Sequence, residues 1–154
     1  MHAPGWSTVL PIACVALLVP ACSSSSPAPA PEPVSLAGTA WQLVEMQSMD
    51  DAQGTTPVPE PANYTVTFGE DGTAAFQIDC NRGSGSWEAT PSSDGTSGDL
   101  KFGPIATTLM ACPPPTIDQQ VSVALSHVRG YVVQDNRLHM SQFADGGILT
   151  WQPA

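Results

Sequence analysis

Apolar and polar residues alternate along most of the chain after residue 36, a pattern typical of short antiparallel strands that bury one face. The alternation is clearest at residues 64–68 and 73–79, which are in phase with each other and predict a hairpin. Gly72 supplies the positive φ that tight hairpin turns need. Cys80 has the same parity as the apolar positions of the second strand, so its side chain is predicted to point into the core.

Further β-segments surround this hairpin, and most are joined by polar loops. The remaining predicted strands are residues 40–46, 86–90 paired with 100–102 across a loop at 91–99, 131–133 paired with 138–143 around a turn at Asp135 and Asn136, and a closing strand at 148–151. The Gly-Ser-Gly-Ser segment at residues 83–86 is interpreted as a turn that leads into the strand carrying Trp87.

One helix interrupts this pattern. Residues 116–119 fit a capping box that begins at Thr116, directly after three prolines. The apolar positions that follow at helical spacing are Ile117, Val121, Ala124, Leu125 and Val128. A single amphipathic helix must bury such a stripe, and the sheet is the available partner. The predicted fold class is therefore mainly β (α+β), with one amphipathic helix packed on an antiparallel sheet.

The N-terminal residues have a different composition from the rest. The apolar run at residues 9–21 is shorter than the roughly 20 residues that a membrane-spanning helix needs, and it is interpreted as part of a signal peptide at residues 1–21. Its end, Leu-Val-Pro-Ala-Cys, resembles a bacterial lipoprotein cleavage box with Cys22 as the lipidated residue. Residues 22–35 form a Pro/Ser-rich spacer, and residues 36–154 form the domain. The alternative is an ordinary cleaved signal that leaves Cys22 as a free thiol.

The chain is acidic, with 14 Asp and Glu against 4 Lys and Arg and a formal net charge of −10 at pH 7. This balance argues against binding of nucleic acid or of anionic lipid headgroups through a basic patch. We expect no nucleic-acid partner and a monomeric domain.

Cys80 and Cys112 are the two cysteines of the predicted domain, and an isolated pair in an exported protein is most simply a disulfide. The alternative is a nucleophilic Cys80 with His127 as base. A nucleophilic cysteine needs a thiolate, which apolar surroundings disfavour, and nothing in the sequence brings His127 to Cys80. We therefore predict no catalytic residues and no enzyme activity.

The histidines and cysteines of the domain also lack the spacing of a metal site. His127 and His139 do not form a His-x-x-x-His pair, the cysteines do not form a Cys-x-x-Cys pair, and no acidic cluster resembles a calcium loop. No glycine-rich phosphate loop precedes a helix. We predict no metal and no cofactor.

Two longer motifs carry a family resemblance. "CNRGSGSW" at residues 80–87 and "LKFGPIATTLMAC" at residues 100–112 precede the amphipathic helix and a final Gly-Gly-Ile-Leu strand. In this order they resemble the META domain, the HslJ-like family of bacterial lipoproteins. The resemblance implies a small β-barrel-like domain with one packed helix, exported in bacteria. Members are linked with the heat-shock response and with novobiocin resistance.

The chain departs from the family pattern at three positions. Gly83 stands where members often carry an aromatic residue, and Trp87 stands where they often carry tyrosine. Leu109 stands where a basic residue frequently precedes Met-Ala-Cys. If that basic residue contacts a partner in other members, this chain has lost or altered the contact.

The Cys80–Trp87 motif also contains a possible ligand site. Arg82 is one of four cations in an acidic chain, and Asn81, Arg82, Ser84, Thr107 and Thr108 could together bind an anion or a carboxylate. In the alternative, which we favour, Asn81 shapes the strand end and Arg82 pairs with Asp79.

The sequence leads to the hypothesis of a secreted, lipid-anchored, non-catalytic binding or envelope-stress module on the extracytoplasmic side of a bacterial membrane. Its membrane contact is the lipid on Cys22, and its expected ligand is an envelope protein or a small anion. The alternative is a proteinaceous inhibitor of an envelope hydrolase, either a lysozyme-type enzyme or a protease. An enzyme is the third possibility.

Overall fold

The computed structural model describes residues 33–49 and 54–154. The predicted signal peptide, Cys22 and most of the predicted spacer lie outside the described residues. The strands within the described residues are β1 (Ala40–Gln47), β2 (Thr55–Pro57), β3 (Tyr64–Phe68), β4 (Thr73–Ile78), β5 (Asn81–Pro91), β6 (Ser97–Phe102), β7 (Ala106–Thr107), β8 (Val128–Gln134), β9 (Arg137–Gln142) and β10 (Ile148–Pro153). Helix α1 (Asp118–Ser126) lies between β7 and β8, and two short 3-10 turns lie at Pro61–Asn63 and Phe143–Asp145.

Eight of the strands form a closed antiparallel barrel in the order β1-β3-β4-β5-β6-β8-β9-β10. The barrel closes where β10 pairs with β1, from Trp41 opposite Pro153 to Gln47 opposite Ile148. β2 pairs with β1, and β7 pairs with β5. Closure satisfies the backbone groups that an open sheet edge leaves unpaired. The predicted fold class is confirmed.

The inward faces of the strands form one hydrophobic core. Trp151, Phe68 and Leu43 are among its largest fully buried side chains. Phe68 packs edge-on against Trp87, with ring centroids 5.0 Å apart, and stacks against Phe102 at 6.0 Å. These aromatic contacts join β3, β5 and β6. Apolar residues of the predicted strands therefore hold those strands together in the core.

The predicted hairpins are confirmed, and β5, β6 and β8 are longer than the sequence suggested. Gly72 has a φ of +79° in the turn between β3 and β4. Asp135 and Asn136, with φ of +52° and +58°, form the two-residue turn between β8 and β9. Two consecutive left-handed residues match the right-handed twist of the flanking strands.

The interpretation of the Gly-Ser-Gly-Ser segment as a turn is wrong. Asn81–Pro91 is one continuous strand, and the chain turns earlier, at Asp79 and Cys80, where Asp79 has a φ of +56°. Gly83 lies opposite Thr107 of β7, and a Cβ atom added to Gly83 would come within 2.8 Å of the Thr107 Cγ2 atom. Glycine is therefore present because a neighbouring side chain approaches closely.

The position of this turn at Asp79 and Cys80 also changes the environment of Cys80. Because β4 ends at Ile78 and the left-handed Asp79 resets the alternation, the parity argument does not extend to Cys80. Cys80 is half-buried in the turn. The prediction that its side chain points into the core is wrong.

Helix α1 packs on the sheet as predicted, against β4 and β6. Val121, Ala124 and Leu125 are its buried residues. The predicted capping box is not formed, because Ile117 occupies the N-cap position and makes no side-chain cap. Thr116 instead accepts a hydrogen bond from the Asp118 N–H at 3.2 Å. Val128, predicted on the helical stripe, is a buried residue of β8.

Candidate binding site beside the disulfide

The predicted disulfide between Cys80 and Cys112 is present, with a Cα–Cα distance of 5.5 Å. It joins the turn between β4 and β5 to the loop that leads into α1. We call residues 108–112 the disulfide loop. Because Cys80 is disulfide-bonded, it carries no thiol that could act as a nucleophile in this state. His127, the base of the alternative hypothesis, is exposed at the C-terminal end of α1.

Asn81 holds the disulfide loop in place from the first position of β5. Its side chain is 6% exposed. The amide oxygen Oδ1 accepts hydrogen bonds from the Met110 N–H at 2.8 Å and from the Thr108 hydroxyl at 2.9 Å. The amide nitrogen Nδ2 donates to the Met110 carbonyl oxygen at 3.1 Å. One buried amide therefore both accepts from and donates to the loop backbone, which supports the interpretation of Asn81 as a structural residue.

The loop presents large apolar side chains to solvent. Leu109 is 95% exposed and Met110 57% exposed, and Val123 on α1 is 58% exposed. Single exposed apolar residues are ordinary on protein surfaces, but neighbouring ones mark sites of interaction. The backbone that carries Leu109 and Met110 is fixed by the disulfide and by Asn81, so these side chains are displayed on a braced segment.

A cleft of about 570 Å³ separates the disulfide loop from α1. Its walls include Thr107, Leu109 and Met110 on the loop side and Asp118, Ser122 and Val123 on the helix side. Pockets of this size accept a small molecule or a few side chains of a protein partner.

Asp118 contributes the one carboxylate on the walls of this cleft. It is half-buried at the first position of α1. Its Oδ1 atom accepts a hydrogen bond from the Thr116 hydroxyl at 3.2 Å, and its Oδ2 atom lies 3.5 Å from Asn81 Nδ2. Within the described residues, Lys101 and Glu88 form an ion pair at 2.9 Å. Asp118 has no cationic partner among those residues.

The five residues predicted as a ligand site are brought close together. Arg82, Ser84, Thr107 and Thr108 line one shallow depression of about 370 Å³, where Arg82 and Ser84 are exposed, and Asn81 lines the neighbouring cleft, which Thr107 and Thr108 also border. The Thr108 hydroxyl accepts a hydrogen bond from the Arg82 N–H at 3.0 Å and donates to Asn81, so it is already engaged. The Arg82 guanidinium forms no ion pair with Asp79 or with any other described residue. An anion site at Arg82 stays a prediction.

Within the ranges that the structure describes, no group of three or more His, Cys, Asp or Glu residues could hold a metal ion. No helix of the described part of the chain has the length and apolar character to cross a membrane.

The ionisable groups with shifted pKa values, Asp71, Asp94 and Tyr131, do not line the cleft. The Thr73 hydroxyl and N–H donate to Asp71 and hold its pKa below the usual range. The Ser97 hydroxyl, with the N–H groups of Thr96 and Ser97, lowers the pKa of Asp94. Burial, and then the charge of Asp94, raise the pKa of Tyr131. The two aspartates stabilise a turn and a loop, and Tyr131 is a buried residue of β8.

Sequence reasoning missed the part of the site that α1 supplies. Val123 is apolar but lies off the buried stripe of the helix, and that mismatch is the signal that could have identified it. Asp118 was assigned to the capping sequence alone. Leu109 was noted as a departure from a family pattern, but its exposure depends on the path of the disulfide loop.

The family model of the META domain matches residues 34–154. The chain belongs to the META domain family. The resemblance inferred from the Cys80–Trp87 and Leu100–Cys112 motifs is therefore confirmed, and the family match covers the barrel, the disulfide loop and α1.

Solved structures similar to this META domain agree with the fold. An NMR structure of a protein from Burkholderia xenovorans is 28% identical, with a TM-score of 0.61 over 85% of this chain and 96% of that one. A crystal structure of a DUF4847 family protein from Bacteroides vulgatus is 17% identical, with a TM-score of 0.50 over 76% of this chain and 93% of that one. The second similarity concerns the fold alone. No curated protein matches the chain.

Proposed function

We propose that this META domain is an exported, lipid-anchored and non-catalytic module of the bacterial envelope that binds a protein partner at the cleft between the disulfide loop and α1. The observation that carries the proposal is the 95% exposure of Leu109 on a loop whose backbone is braced on both sides. Burying an exposed leucine in a partner stabilises a complex by about 1.5 to 3 kcal/mol.

Rigidity of the disulfide loop supports a binding role. A loop that is ordered before it binds loses little conformational entropy in the complex. Here the Cys80–Cys112 disulfide and the Asn81 side chain hold residues 108–112 in the free domain. The exposed Leu109 and Met110 side chains are thus available at low entropic cost.

Membrane attachment is proposed from the N-terminal sequence. The Leu-Val-Pro-Ala-Cys box supports lipidation of Cys22, and residues 22–35 are rich in serine and proline. If extended, these residues would reach roughly 40 Å at about 3.1 Å per residue. That reach would let the domain contact other proteins on the extracytoplasmic side, and the family resemblance supports a role in the envelope stress response.

A second function is favoured by the exposure of the same loop. An exposed Leu109 on a loop held by the disulfide and by Asn81 is suited to enter the concave site of an envelope hydrolase and block it. The domain would then be a proteinaceous inhibitor of a lysozyme-type enzyme or a protease. This candidate differs from a general binding module in one measurable respect, since stoichiometric addition of the domain would abolish the activity of the partner.

Photocrosslinking in the native envelope tests the binding function. A photoreactive amino acid at position 109 should give a discrete crosslinked product that the same residue at Val132, exposed on β8, does not give. Added soluble wild-type domain should compete for the product, and a Leu109→Ser domain should not. Identical products from both positions, or competition by Leu109→Ser that matches wild type, would overturn the proposal.

Two matched variants separate the remaining parts of the hypothesis. Arg82→Ala should leave the crosslink from position 109 unchanged, and loss of the product would assign recognition to the Arg82 face instead. Cys22→Ala should abolish incorporation of a clickable palmitate analogue and release the protein from the membrane fraction. Retention of the label in Cys22→Ala would refute lipidation at that residue.

A further inference from the structure

We infer that the partner segment bound in this cleft is cationic as well as apolar, with a Lys or Arg side chain that pairs with Asp118. This inference rests on the proposed function and adds the chemistry of the partner. It follows from the composition of the two cleft walls and from the charge of the chain.

The apolar part of the cleft comes from Leu109, Met110 and Val123, which belong to two different elements. A segment that contacts all three must itself carry apolar side chains, because polar groups placed there would lose water without gaining hydrogen bonds. The apolar residues of the partner are therefore expected between the disulfide loop and the exposed face of α1.

The charged part of the cleft is Asp118. Each of its oxygens has one hydrogen-bond donor within 3.5 Å, from Thr116 and from Asn81. A carboxylate oxygen accepts two hydrogen bonds, so both oxygens of this cleft-lining residue retain acceptor capacity. The position of Asp118 at the start of α1 also stabilises the helix, but that role does not use the remaining lone pairs.

Cations of the domain do not compete for this carboxylate. Arg82, on the other side of the Thr107–Thr108 segment, is exposed and does not line the cleft. A lysine or arginine side chain can lay its methylene stem along apolar surface and place its charge at Asp118. The cleft therefore offers apolar surface for the methylene stem and a carboxylate for the charge of one basic side chain.

The charge of the whole chain selects among possible occupants. The net charge of −10 attracts a cationic segment over long range and repels an anionic one. A second copy of the chain would bring together two molecules that each carry a net charge of −10, which is unfavourable at low salt. An anionic membrane surface is disfavoured for the same reason.

Fluorescence anisotropy with two labelled peptides tests the inference. The probes are a decapeptide of alternating leucine and lysine and a decapeptide of alternating leucine and glutamate. We expect the lysine peptide to bind the purified protein and the glutamate peptide not to bind. Asp118→Asn should weaken binding of the lysine peptide about tenfold, which is the scale of one charge-assisted hydrogen bond. The matched control Asp99→Asn removes an exposed carboxylate of β6 and should have little effect.

A second variant distinguishes the loss of the Asp118 charge from destabilisation of α1. Ser122→Lys places an ammonium group four residues after Asp118 on the same helix face, where it can pair with the carboxylate in place of a cation of the partner. It should therefore weaken binding of the lysine peptide without lowering the melting temperature. Equal losses in Asp118→Asn and Asp99→Asn would show diffuse attraction to an acidic protein and would overturn the inference.

The outcomes also distinguish this inference from the proposed function. If position 109 crosslinks a partner but neither peptide binds, or both bind equally, the binding function stands and the cationic specificity is wrong. If position 109 gives no product and neither peptide binds, both proposals fail. A dimer in sedimentation experiments that Leu109→Ser dissociates would assign the cleft to a second copy and overturn the inference.

Discussion

The side chain of Asn81 pairs with the backbone of Met110 as a neighbouring strand would, accepting from its N–H at 2.8 Å and donating to its carbonyl oxygen at 3.1 Å. The two residues are 29 positions apart in the chain. A single amide therefore orders a loop that has no strand partner of its own at this point, and the disulfide next to Asn81 reinforces the same connection.

Replacing Asn81 with alanine should destabilise the domain by about 2 kcal/mol, because several hydrogen bonds are lost and loop groups beside the disulfide lose their partner. Chemical denaturation of purified protein measures the change. Ser84→Ala, on the exposed face of the same strand, is the control and should stay within about 0.5 kcal/mol of wild type. A similar free energy of unfolding for both variants would contradict the role assigned to Asn81.

Removing the disulfide in a Cys80→Ala/Cys112→Ala double variant should lower the free energy of unfolding by about 3 to 4 kcal/mol, since the crosslink closes a loop of 32 residues in the unfolded chain. Wild type under reducing conditions should approach the stability of the double variant. If a reductant has no effect on wild type, while proteolytic mapping shows that the disulfide has been reduced, the expected contribution is wrong.

Gly83→Ala should destabilise the domain by about 1 to 3 kcal/mol, because the new methyl group would overlap the Thr107 methyl group across the β5–β7 pairing. Adding Thr107→Ser removes that methyl group and should restore part of the loss. Thermal unfolding of the single and double variants measures both effects. If Gly83 lay in a flexible turn, alanine would be tolerated and the second substitution would rescue nothing.

The stability of the domain should decrease in acid through Asp71 and Asp94. Their folded-state pKa values lie below the ordinary value of 3.8, because hydroxyl and N–H groups donate to the carboxylates. Their contribution is therefore present above the unfolded pKa and is lost as pH falls through the lower, folded pKa. Denaturation between pH 5 and about pH 2 should show a shallower pH dependence in an Asp71→Asn/Asp94→Asn variant. An unchanged profile in that variant would contradict the assignment.

Local patterns predicted the elements that depend on neighbouring residues in the chain. The β3–β4 hairpin was predicted because alternation and the turn glycine Gly72 lie within a few residues of each other. The turn at Asp135 and Asn136 was predicted for the same reason. The errors at the Gly-Ser-Gly-Ser segment and at Cys80 have a common cause, because the chain turns at Asp79 and Cys80 instead of at residues 83–86. The alternation of β4 does not predict the left-handed Asp79, and a glycine such as Gly83 is equally suited to a turn and to a close approach by Thr107 from across the sheet.

The sequence by itself determined the fold class, the pairing of Cys80 with Cys112 and the amphipathic helix, because composition, spacing and periodicity carry that information. Only the tertiary structure decided that β5 is continuous, that Asn81 braces Met110, and that Leu109, Val123 and Asp118 surround one cleft. These relationships join residues far apart in the chain, and they depend on the closure of the barrel and the course of the disulfide loop rather than on any local pattern.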